Sequence, residues 1–224
     1  MWVLSMKTCV YFAESMELSS GPTHLALGYG FHPTGLWRNL PLPSGAAGLV
    51  VDDRFAPDRR GAAAARQALS AWEGLVIFDF ERPRQPLLAE LVTALAGREV
   101  VLPPAWAGLP HGAVLIGPWR GGGSFANWLQ AQRRRYGRVV LDGAPLRHRA
   151  IPGRSWTPWS GSLPARGFSC PGPGCLHCRR SDGSVLFWDT RQTLMARLEA
   201  ADVPSIVFRS DWDVLEEEEA DAIP

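Results

Sequence analysis

Lysine is all but absent from this chain: Lys7 stands alone against 22 arginines, a bias that reads as genome composition rather than function. Cysteine is scarce as well. Four cysteines in 224 residues exclude a disulfide-framed scaffold. A net charge of +1 leaves no broad basic footprint, so neither nucleic acid nor an anionic membrane surface is expected as partner. No apolar run approaches the about 18 residues that argue a membrane span. Met1–Val10 has no basic stretch, no long apolar segment and no cleavage site, so the expected location is the cytoplasm. With 46% apolar and 20% charged residues, disorder and fibrous repeats are excluded, and the length suits a single domain over residues 1–224. Tryptophan, by contrast, is abundant, with ten residues.

Short apolar runs recur along the chain. They are His24–Gly30, Gly48–Phe55, Gly74–Glu81, Glu99–Trp106, Ala113–Trp119, Arg138–Pro145, Ser184–Asp189 and Ser205–Asp211. Each is rich in Val, Ile, Leu or Phe and bounded by Gly, Pro or charge, the pattern of buried parallel strands. Helical spacing appears in Arg59–Trp72, Pro86–Ala96, Ser124–Tyr136 and Thr190–Ala201, the last with Asp189 or Thr190 as cap. Arg133, Arg134 and Arg135 read as a solvated helix end, where positive charge is favoured. Eight strands alternating with at least four helices predict a small α/β protein, a (β/α)₈ TIM barrel. Arg147–Asp182, without periodicity, reads as a long insertion between strands six and seven. An open doubly wound sheet is the alternative, though no glycine-rich phosphate loop follows any strand. The acidic run Glu216–Glu219 makes residues 214–224 a solvated tail.

Barrel chemistry sits at the C-terminal strand ends. Here those ends carry Asp52, Asp53, Asp79, Glu81, Trp106, Trp119, Arg120, Asp142, Asp189, Asp211, Trp212 and Asp213. Carboxylates supply acid and base, and indole faces stack on sugar rings, so the rim suits a carbohydrate. In Gly74–Glu81 the alternation of a strand puts Asp79 and Glu81 on one face with Leu75 and Ile77. Two close carboxylates would raise one pKa and make a proton donor beside an ionised partner. The plainer alternative is that Glu81 pairs with Arg82 or Arg84. Glu81 and Asp79 are the catalytic candidates; Trp106, Trp119, Arg120, Asp142, Trp212 and Asp53 are the substrate-contacting ones.

The stretch Trp72–Pro83 resembles the catalytic strand of family-eighteen glycoside hydrolases, the chitinase-like barrels, whose motif ends Asp-x-Asp-x-Glu. Phe125–Leu146, with Val139–Leu146 at its end, is similar to the helix and strand that precede the family's insertion. Phe187–Leu194 followed by Arg197 and Leu198 resembles a segment of the spore-germination members. The resemblance implies that Glu81 protonates the glycosidic oxygen while Asp79 orients the substrate's acetamido group, which itself attacks the anomeric carbon. It implies peptidoglycan or chitin-type glycans with N-acetylglucosamine, no cofactor for catalysis, and association with spores. The departures are specific. Ile77 and Gly74 replace earlier Asp positions, Trp119 and Arg120 stand where a Tyr and an Asp are usual, and Arg147 stands for a Tyr. The family's last-strand Trp matches Trp212, or Arg209 by strict counting. They leave open a catalytically inactive barrel that binds glycan or acts as a scaffold. A third reading has Asp52, Asp53 and Asp79 hold a divalent cation.

Cys170, Cys175 and Cys178 sit close together beside His177. With Cys9 or His177 they have the makings of a structural zinc site; free thiols and a disulfide are the alternatives. His24, His32, His111 and His148 show no metal spacing.

Overall fold

The computed structural model describes residues 10–15, 22–120, 124–153, 156–164, 166–170 and 174–221, with side chains to 215. Eight segments pair edge to edge in parallel. They are β1 (Val10–Ser15), β2 (His24–Tyr29), β3 (Gly48–Asp52), β4 (Leu75–Asp79), β5 (Val100–Leu102), β6 (Ala113–Ile116), β7 (Val139–Asp142) and, far downstream, β13 (Ser205–Phe208). They follow chain order round a closed barrel, β13 returning to pair with β1. Alternation sorts every strand into two faces. Ala13, Leu25, Val50, Ile77, Val140 and Ile206 fill the interior. Their neighbours Leu49, Val76 and Phe78 on one side, and Val114, Leu141 and Val207 on the other, pack outward beneath the helices.

Those helices are α1 (Arg59–Ala71), α2 (Pro86–Ala94), α3 (Phe125–Tyr136), α4 (Arg191–Ala201) and α5 (Arg209–Asp221), with a 3₁₀ turn at Pro104–Trp106. Each of three begins where a side chain accepts its free amides: Asp58 for α1, Ser124 for α3, and the reciprocal pair Thr190 and Thr193 for α4. Arg133, Arg134 and Arg135 are exposed in the last turn of α3, the solvated helix end expected, and Arg133 does more. Its guanidinium donates to the carbonyls of Ala201 and Asp202 and so closes the C-terminus of α4.

A second, antiparallel sheet has the order β10 (Phe168–Ser169), β11 (Leu176–Arg179), β12 (Val185–Trp188), β8 (Arg147–Ala150), β9 (Thr157–Pro158). This corrects the sequence reading at four points. Ser184–Asp189 is a strand of this sheet and not of the barrel, whose missing member is β1. Arg147–Asp182 is not a loop between two barrel strands but supplies four strands of the sheet, which lies between the seventh and eighth barrel strands. The open-sheet alternative falls with closure of the barrel. Residues 214–221 continue α5 instead of forming a tail. Among the described residues no helix is long and apolar enough to cross a membrane.

Asp189 ties the second sheet to α4. Fully buried at the end of β12, it takes both guanidinium nitrogens of Arg197 at 2.6 Å and the Leu146 amide at 2.6 Å. A bidentate, additionally hydrogen-bonded pair is the form in which buried charge is tolerated.

Candidate active site

Three barrel strands end in aspartate on their inward face. Asp52 follows Val50, Asp79 follows Ile77 and Asp142 follows Val140, each two residues beyond an interior side chain. Asp52 and Asp79 are register partners on adjacent strands. Asp142 lies three strands round the mouth, and Asp211, in the first turn of α5, adds a fourth carboxylate.

Crowding and burial hold protons here. Burial above all, then the charges of Glu81, Asp53 and Asp52, pushes the Asp79 carboxyl up. Asp142 is pushed up to about 6, chiefly by burial, with Asp211 and Asp79 adding to it and the Ala144 amide opposing. Burial raises Asp211 too. Three carboxyls at the mouth, Asp79, Asp142 and Asp211, therefore hold their protons more tightly than free aspartate does.

Glu81 stands just outside this set. Strand β4 stops at Asp79, and Glu81 is exposed on the following turn. Its amide and that of Arg82 each donate to a separate oxygen of Asp53, both at 3.0 Å. Asp53 is 2% exposed, so it does not reach substrate; it fixes the turn that presents Glu81. The expected substrate role of Asp53 is corrected accordingly. Asp52 is also held, accepting the Arg54 amide at 3.0 Å, with Arg38 at 3.5 Å from its other oxygen. A side chain on Gly30 would meet the Asp52 carbonyl at 2.9 Å, so bare backbone is what lets the chain pass this carboxylate.

The indoles do not line the mouth. Trp106 is fully buried edge-on to Phe80, its Nε1 without a hydrogen-bond partner. Trp119 packs against Phe125 with the Arg197 guanidinium over its ring. Trp212 meets Phe12 edge-on and lies under Arg191. None of the three has a face free for a sugar, and the stacking role expected of them is corrected. Arg120 is exposed on the rim, where its charge, after burial, helps lower the pKa of His148 on β8. His148 had no sequence signal of its own; only the folding of the second sheet toward Arg120 gives it a place here.

In the second sheet the Cys170 and Cys175 sulfurs are 2.7 Å apart, and His177 Nδ1 is 3.7 Å from Cys170 Sγ. Cys178 points to the opposite face of β11 from His177, so it leaves the expected ligand set. Cys9 lies outside the described residues. Among the described residues no group of three or more His, Cys, Asp or Glu is arranged to hold a metal ion. No protein-family model, curated protein or solved structure matches the chain.

Proposed function

We propose that this chain is a glycoside hydrolase acting on N-acetylglucosamine-containing glycans, of the peptidoglycan or chitin type, by substrate-assisted retaining hydrolysis. One observation carries the reading: Asp79 ends β4 facing the barrel interior, raised in pKa, with Glu81 on the turn above it. Glu81, open to solvent, protonates the glycosidic oxygen. Asp79 holds the acetamido group that attacks the anomeric carbon and balances the positive charge of the resulting ring. Asp142, neutral below about pH 6, adds a hydrogen-bond donor on the far side of the mouth without adding charge. No cofactor enters these steps. Work inside the cell that makes it, and association with spores, belong to the same proposal.

The alternative of an inactive glycan-binding barrel draws on the replaced Asp and Tyr positions and on rim indoles; the burial of Trp106, Trp119 and Trp212 removes only the second support. The test is hydrolysis of a chito-oligosaccharide and of a muropeptide by the wild type and by Glu81→Gln. Loss of about 10² to 10⁴-fold in turnover with binding retained is the signature of a missing general acid. Unchanged turnover removes Glu81 from the mechanism.

A further inference from the structure

The second sheet carries a chemistry that the barrel mouth does not use. Strands β10 and β11 pair antiparallel, Phe168 with His177 and Ser169 with Leu176. The ladder extends one step further, for the Cys170 amide donates to the Cys175 carbonyl at 2.8 Å. This sets the two cysteines opposite each other, unbridged, with sulfurs 2.7 Å apart. His177, two residues beyond Cys175 and so on the same face, brings Nδ1 to 3.7 Å from Cys170 Sγ. The two thiols have different surroundings. Cys175 is buried in the apolar cluster that includes Leu194 and Leu198, while Cys170 is half-exposed.

We propose that Cys170 and Cys175 are a reactive dithiol that closes reversibly to a disulfide across the β10–β11 hairpin, with His177 as proton acceptor. The oxidant is a low-molecular-weight disulfide of the oxidised-glutathione class. Cys170 passes its proton to His177 and attacks one sulfur of that disulfide, forming a mixed disulfide and releasing one thiolate, which takes a proton. Cys175 then attacks Cys170 Sγ, and its proton goes to the second departing thiol. Two protein thiols and one small disulfide become one protein disulfide and two small thiols, with two electrons transferred. Burial fixes the order, since Cys175 is sealed from solvent and its thiol is pushed up by burial and by Cys170. A metal suits the geometry less well. Two thiolates about 2.3 Å from a tetrahedral zinc stand about 3.8 Å apart, wider than this pair.

The experiment treats the full chain with oxidised and then reduced glutathione, alkylates free thiols at each stage, and weighs the tryptic peptide Gly167–Arg179. Expected after oxidation is a peptide lighter by two hydrogens and alkylated once, at Cys178, which reverts on reduction. Cys178→Ser keeps the bridge and Cys170→Ser abolishes it. His177→Ala slows closure several-fold and leaves the endpoint unchanged. Three alkylated cysteines after oxidation, or a bridge to Cys178 or Cys9, would overturn the proposal. So would stoichiometric zinc that is lost in Cys170→Ser. An unaltered rate in His177→Ala would overturn the part given to the histidine.

Discussion

Asp52 and Asp79 face each other in register across β3 and β4, both turned into the barrel mouth, and neither strand continues past them. Like charges on paired strands oppose one another. The Asp79 pKa is raised chiefly by burial, then by the charges of Glu81 and Asp53, with Asp52 adding the smallest share. Asp52→Asn should lower the Asp79 pKa. The measurement is carboxyl-carbon NMR titration of Asp79 in the two proteins, and an identical midpoint would contradict the coupling.

Asp142 makes stability depend on pH. Its folded pKa of about 6 lies above the ordinary 3.8, so the folded state binds the proton more tightly than the unfolded one. The stabilisation is whole below the unfolded value and is lost as pH rises from about 4 through about 6. Asp142→Asn abolishes that loss. Compared with wild type in urea, it should gain up to about 3 kcal/mol between pH 4 and pH 7.5. An equal pH dependence in the two proteins would refute the assignment.

Asp53→Ala removes the carboxylate that accepts from the amides of Glu81 and Arg82. Losing the buried carboxylate that accepts both hydrogen bonds costs about 1–3 kcal/mol. Urea denaturation should show a loss in that range, and any hydrolysis should fall with it, since the turn presenting Glu81 is freed. A variant with wild-type stability would show that the clamp is not needed.

The burial of Trp106 separates packing from recognition. Trp106→Ala should cost about 3–5 kcal/mol of stability, as large-to-small changes in a core do. At temperatures where the variant remains folded, glycan affinity should not change. Lost affinity with intact stability would return the indole to the rim.

Much of this architecture was written in the sequence. Leu75–Asp79 and Val139–Asp142 read as buried strands because both faces of such strands are apolar, and alternation put Asp79 on the face of Ile77. β1 escaped because Glu14 and Ser15 interrupt the apolar pattern that marked the other strands. Val185–Trp188 has the composition of a barrel strand yet pairs antiparallel, and a run of four apolar residues carries no sign of its partner's direction. The indoles illustrate a different limit. A rule that places strand-end residues on the rim fails when the chain turns at once, as it does at Pro104–Trp106, and carries the ring back under Phe80. The Asp189–Arg197 pair was invisible for a related reason: only tertiary packing brings β12, α4 and the Leu146 amide together.

The most direct test of the central claim is a pair of measurements on the wild type and Asp79→Asn: steady-state release of reducing ends from a chito-oligosaccharide and a muropeptide, and calorimetric affinity for the same glycans. An aspartate that matters mainly when charge develops on the substrate ring acts on kcat. The account predicts product from the wild type on at least one glycan, and in Asp79→Asn a fall in kcat of about 10²-fold or more with affinity nearly intact. Neither binding nor product with either glycan, or an undiminished kcat in the variant, would contradict it.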